Sequence, residues 1–215
     1  MSPRPSAPGS HFEPVVQAGC LFARRAAMHL AKPPWNPAST IEANIERMMP
    51  DFLSCVASQD EVNAADAWVL AVRQPELVCR LADLASTTRR ILCAITEHET
   101  PGRDLLRENI GDSSWQLTWF GLDWFVVAFG PCYSVEHPRY SHSPDTAYLM
   151  MQPVISFERF GITTEPKSYP LRRRIRDDFA KRGLPLDEAL METSIMAEKF
   201  VKPLGIGDDA IRWWR

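Results

Sequence analysis

The sequence predicts an α+β fold: a small, mostly antiparallel sheet with helices packed on one face, in a single domain. Leu117 to Phe120 and Trp124 to Phe129 are aromatic and β-branched runs separated by Gly121-Leu122-Asp123, which reads as a hairpin. Tyr148 to Phe157 reads as a third strand of the same kind. Apolar stripes at helical spacing lie on both sides of this strand-rich centre, as a layer of helices over a sheet requires. A chain of 215 residues, 45% of them hydrophobic, is long enough to bury one substantial core.

Taken in order, residues 1–14 are rich in Pro and Ser and are expected to form a disordered arm, leaving 15–215 as the domain. Cys20 to Leu30 has helical spacing, and Lys32-Pro33-Pro34-Trp35-Asn36-Pro37 breaks it. Thr40 can cap a helix with Ile41, Ile45, Met48, Met49, Phe52 and Leu53 on its inner side, which Pro50 should kink or divide. Ala67 to Val72 reads as a buried strand containing Trp68. Pro75 then opens a helical stretch striped by Leu77, Val78, Leu81, Leu84, Leu92 and Ile95. After the three central strands, Leu171 to Lys181 is a basic amphipathic stretch and Leu186 to Val201 reads as a helix. Trp213-Trp214 lies at the end.

Composition excludes several classes. A formal net charge of −3 gives no basic excess for nucleic acid. No apolar run reaches the length of a membrane span and no signal core opens the chain, so a cytoplasmic location is expected. Five widely spaced cysteines without a C-x-x-C pair point to reduced thiols rather than disulfides or a zinc ribbon.

The segment to watch is Gly130 to Thr146, a loop of unusual length between two strands, carrying Cys132, Tyr133, Glu136, His137, Arg139, Tyr140, Ser141, His142 and Asp145. Soft metal ligands, hydrogen-bond donors and a carboxylate thus gather at the open end of a rigid sheet. His137 and His142, with Asp145 or Glu136, would compose a two-histidine, one-carboxylate face for non-haem iron.

Gly-Pro-Cys-Tyr at 130 to 133, His-Pro-Arg-Tyr-Ser at 137 to 141 and Met-Gln-Pro-Val-Ile-Ser-Phe at 151 to 157 resemble the central signature of the YqcI/YcgG family. Weaker similarity lies in Cys20-Leu21-Phe22-Ala23-Arg24, Trp68, the Thr88-Arg89 region and Arg212-Trp213-Trp214. One departure is Ala18-Gly19, where a proline is expected beside the cysteine. Characterised members are haem-dependent N-hydroxylases of guanidino or amino nitrogens, including an arginine Nω-hydroxylase and an enzyme of guanidine-toxin biosynthesis. The resemblance therefore implies an oxidoreductase, a haem b monooxygenase working in biosynthesis on an arginine-like small molecule.

Within that reading, His137 is the leading axial iron donor, since neutral imidazole is the commonest metal ligand and Pro131 and Pro138 stiffen its loop. Cys132 is the rival, because a thiolate favours O–O cleavage, and Cys20 is the third choice. His142 and His29 follow, although His29 fits a structural position on a helix. Arg139 suits a haem propionate or a substrate carboxylate. Tyr133 and Tyr140 are candidate donors to bound oxygen, and Glu136 an acceptor for a cationic substrate head. No Gly-x-Gly-x-x-Gly fingerprint follows a strand, so electrons would come from an external donor, or peroxide would serve as oxidant. A homodimer sharing the site is compatible with all of this. A haem-binding sensor or carrier without catalysis is the reading from another class.

Overall fold

The computed structural model describes residues 26–61, 63–162, 169–184 and 186–215. The expected arm at 1–14 and Cys20 lie outside the described residues. Five strands form one sheet: β1 (Met28–Leu30), β2 (Ala67–Arg73), β3 (Leu117–Trp119), β4 (Leu122–Phe129) and β5 (Thr146–Pro153), in the order β1-β2-β5-β4-β3. Only β1 and β2 run parallel; every other neighbour is antiparallel. The expected single α+β domain with a mostly antiparallel sheet is what the chain forms.

Strand alternation divides the apolar side chains between two faces. Trp68, Leu70, Val126, Ala128, Leu149 and Met151 join the main core under the helices, while Val69, Val127, Phe129 and Met150 form a second cluster with Met28. The adjacent methionines 150 and 151 are thereby parted, as period-two geometry demands. Over the first face lie α1 (Ile41–Ala57) and α2 (Leu81–Glu99). Phe52, fully buried, anchors α1 among the rings of Trp68 and Trp124, with centroids 5.0 and 5.1 Å away. Edge-on and tilted contacts of this kind add to the burial of large apolar area. Trp119 completes the cluster, its Nε1–H donating to Thr96 Oγ1 at 2.9 Å, so the indole enters the core with its polar atom satisfied.

Local signals hold at several points. Thr40 Oγ1 accepts from the Ala43 N–H at 3.1 Å and starts α1. The expected β3–β4 hairpin forms, but it turns on Phe120 and Gly121, both with φ in the left-handed region (52° and 74°), as the primed two-residue turns require, while Leu122 and Asp123, expected in the turn, already belong to β4. The rest of the β4 edge, beyond the three residues of β3, is covered by the C-terminal segment, where Ala128 N–H donates to the Phe200 carbonyl at 3.0 Å.

Elsewhere the structure departs from the expectations. Met28–Leu30 is an edge strand rather than the end of a helix, because its backbone pairs in register with Ala67, Trp68 and Val69. A short apolar run fits either period, and the available sheet edge decides. α1 continues through Pro50 from Ile41 to Ala57, and Leu53 is 43% exposed, one helical step past the buried Phe52. β5 ends at Pro153, where the chain enters α3 (Val154–Arg159). After α4 (Tyr169–Lys181), the expected helix over 186–201 contracts to α5 (Glu188–Glu192) and a 3₁₀ turn at Met196–Lys199. Thr193 separates them: its hydroxyl accepts from the Ile195 N–H at 3.2 Å, a local bond that competes with the helix. Among the described residues no helix is long and apolar enough to cross a membrane.

Candidate functional site

The loop between β4 and β5 is a folded unit. Gly130 forms a parallel bridge with Tyr140: its N–H donates to the Arg139 carbonyl at 3.0 Å and its carbonyl accepts from Ser141 N–H at 3.2 Å. Turns inside it are closed by His137 N–H to Ser134 O (2.9 Å) and Tyr140 N–H to His137 O (3.0 Å). Gly130 is confined, since a Cβ there would lie 2.8 Å from Leu84 Cδ2 and 3.1 Å from Cys132 Sγ. Sequence and packing therefore agree that this loop is ordered.

The loop places the expected residues as follows. His137 stacks on Tyr133 with centroids 4.3 Å apart and planes 7° from parallel. Its Nδ1 accepts from the Arg139 N–H at 3.1 Å, so the ring proton sits on Nε2, towards the Pro203 carbonyl. Burial, helped by the charges of Arg139 and Lys202, pushes this imidazole down to about 4. Tyr133 is buried and donates its hydroxyl to the Lys202 carbonyl at 2.9 Å. Burial pushes the half-buried Cys132 thiol up to about 11, which keeps it protonated at neutral pH. Glu136 is exposed on the turn, and Tyr140 is half-buried against the ring of His142, 4.9 Å away. His142 is exposed, with φ 53°. Among the described residues no three of His, Cys, Asp and Glu gather as a metal-binding group.

Arg139 is buried, its guanidinium 5.5 Å from the ring centroid of Phe129 and its Nη2 donating to the Lys199 carbonyl at 3.2 Å. Its Nη1 has no hydrogen-bond partner. Beside it stands Lys202, only 3% exposed, whose Nζ meets Met191 Sδ at 3.6 Å. Burial, followed by the charge of Arg139, lowers this ammonium to about 7.

A second constellation occupies the helical face at the β1 edge. His29 pairs in register with Trp68, and its Nε2 donates to Asp51 of α1, 2.9 and 3.0 Å from the two carboxylate oxygens. Asp51 also accepts from Trp68 Nε1 at 2.8 Å and from the Lys32 N–H at 3.0 Å. Burial alone would raise the Asp51 carboxyl, but these bonds from Trp68, His29 and Lys32 outweigh it and hold it below its ordinary value. Nδ1 of His29 has no hydrogen-bond partner among the described residues, on a side chain 35% exposed. β1 and β4 are three strand spacings apart, about 14 Å, so this constellation and the loop are separate places.

Asp51 and Lys202 did not stand out in the sequence. The available signals were an acid beside Pro50 on the inner flank of a helix, and a lysine directly after the apolar pair Phe200-Val201. The basic run at 172–176 lies on α4, where Arg173, Arg176 and Asp177 line an open cavity of about 850 Å³ with Glu188 and Glu192. Acids and bases alternate there, and Arg176 pairs with Glu192 at 3.3 Å.

No family model matches the chain, and neither the curated proteins nor the solved structures contain a match. The YqcI/YcgG resemblance therefore rests on the quoted segments alone. Two of them, Trp68 and Met151, are direct β-sheet partners, and Trp68 also pairs with His29, so part of the resembling set falls in one row across the sheet.

Proposed function

We propose that this chain is a haem-dependent N-hydroxylase acting on an amino or guanidino group of a small molecule, with His29 as the axial donor. The motif resemblance supports the reaction class. The observation that carries the cofactor assignment is the open Nδ1 of His29, whose other nitrogen is held by Asp51.

The other donors fit less well. His137 spends Nδ1 on a backbone N–H and turns Nε2 into the protein, and Cys132 is held as a thiol. His29 has the arrangement that orients metal-binding imidazoles: a carboxylate accepts from one ring nitrogen and leaves the other without a partner. Trp68 and the Lys32 N–H keep that carboxylate ionised and in place. Bound there, haem would supply activation of dioxygen or peroxide. In this reading Tyr133, Tyr140, Glu136 and Arg139 act in the architecture of the β4–β5 loop.

The test is to load the protein with haem and incubate it with arginine, simple guanidines and simple amines, using peroxide or an external reductant with oxygen. A product one oxygen atom heavier, formed only by haem-loaded protein, is the expected result. Stoichiometric haem binding with no oxygenated product from any of these would overturn the enzyme in favour of a carrier or sensor. Failure to bind haem would overturn the reading as a whole.

A further inference from the structure

Two cations are buried side by side on the C-terminal side of the loop, and among the described residues no acid lies within ion-pair distance of either. Lys202 is 3% exposed and Arg139 is 8% exposed. Among the described residues neither forms an ion pair with a carboxylate. Arg139 Nη1 has no hydrogen-bond partner, and the neighbour of Lys202 Nζ is a thioether, a weak acceptor. Asp187 is the acid nearest in effect to Lys202, but its two oxygens accept from the N–H groups of Leu190 and Gly207, at 3.0 Å each. Buried charges are ordinarily paired, and an unpaired one is expensive. Two adjacent like charges, with only Asp187 attracting Lys202 from beyond ion-pair distance, are more expensive still.

A small cavity opens at this point. Its volume is about 20 Å³ and its walls include His137, Lys202, Asp187 and the apolar Leu190, Pro203 and Ile206. Room for a single water-sized group requires about 10–15 Å³. The space thus accepts a single oxygen atom of an anionic end, the rest of which stays at the mouth. Ile206, 63% exposed, and Pro203 make an apolar mouth that suits a hydrocarbon attached to that end.

We infer that Lys202, with Arg139 behind it, forms a binding site for the carboxylate of a small aliphatic acid, entering past Pro203 and Ile206. The carboxylate brings a counter-charge into direct contact, closer than Asp187 stands, accepts from Lys202 Nζ and relieves the repulsion between the two cations. Separated from His29 by the width of the sheet, the site is independent of the haem assignment and stands whether or not the chain binds haem.

The test uses sodium formate and sodium propionate as probes against haem-free protein at pH 6, with sodium chloride at matched ionic strength and phosphate as comparison anions. Saturable heat of binding and a rise in Tm are expected for the two carboxylates, with propionate the tighter. Lys202→Met should weaken binding by about tenfold or more, the effect of losing one charged hydrogen bond, and Lys202→Arg should retain most of it. Chloride or phosphate matching the carboxylates would overturn the assignment. So would equal carboxylate binding by wild type and Lys202→Met, or no saturable binding by wild type.

Discussion

Lys202→Met offers a test of the buried charge that needs no ligand. Methionine matches lysine in length, keeps the backbone carbonyl that accepts from Tyr133, and replaces an ammonium facing Met191 with an apolar contact. The folded ammonium titrates at about 7 against an ordinary 10.5. Between those values the unfolded chain binds one more proton than the folded one, so wild-type stability rises with pH across this window and is lowest below it. At 1.36 kcal/mol per unit, the whole shift corresponds to roughly 5 kcal/mol of destabilisation below about pH 7. The variant lacks this group. Its advantage over wild type should therefore narrow by roughly 3 kcal/mol between pH 6 and pH 9. His137, Arg139, Lys199 and Asp187 also face this region electrostatically, and their direct contributions cancel to first order in the difference between the two proteins. Urea unfolding followed by tryptophan fluorescence, in buffers free of carboxylates, measures the gap at each pH. A gap that stays constant from pH 6 to pH 9, or a variant less stable at pH 6 than at pH 9 relative to wild type, would show that Lys202 is not a destabilising buried cation.

Three further outcomes are expected. Asp51→Asn replaces the carboxylate that holds His29, Trp68 and the Lys32 N–H, and should destabilise the fold by about 2–3 kcal/mol in denaturant unfolding while weakening haem uptake. Gly130→Ala drives a methyl against Leu84 and Cys132, and should lower stability by about 1–3 kcal/mol in the same assay. The depressed imidazole of His137 stays neutral in the fold down to about 4, whereas its unfolded counterpart protonates near 6.5. Wild type therefore loses stability as pH falls through that window, and His137→Gln should flatten this acid limb, read as a lower midpoint in acid unfolding.

The parts of the fold that were legible in the sequence share one property: their signals are local and their partners near. The hairpin around Gly121 lies between two apolar runs, although Phe120 rather than Leu122-Asp123 completes its turn, Thr40 precedes an apolar stripe, and the alternation in β2, β4 and β5 assigns each side chain its face. Met28–Leu30 was illegible because three apolar-flanked residues fit a helix as well as a strand, and only pairing with β2, some 39 residues away, selects the strand. The 186–201 segment misled because its composition is helical while the Thr193 hydroxyl breaks it. At the candidate sites, the loop showed itself through its length and residue types. The partnership of His29 with Asp51 did not, because it joins an edge strand to a helix and requires knowing that α1 crosses this face. Lys202 was hidden for a related reason, since a lysine reads as solvated until the chain around it is placed.

Haem ligation by His29 is read from the ultraviolet–visible spectra of haem-titrated wild type, His29→Ala and His137→Ala, each oxidised and then reduced with carbon monoxide. Wild type and His137→Ala should show a stoichiometric Soret band, lost or markedly weakened in His29→Ala and restored when imidazole is added to His29→Ala. An unchanged band in His29→Ala, or a carbon monoxide peak near ~450 nm, the position of thiolate-ligated haem, would contradict the His29 assignment. A colourless wild type would contradict the haem reading itself.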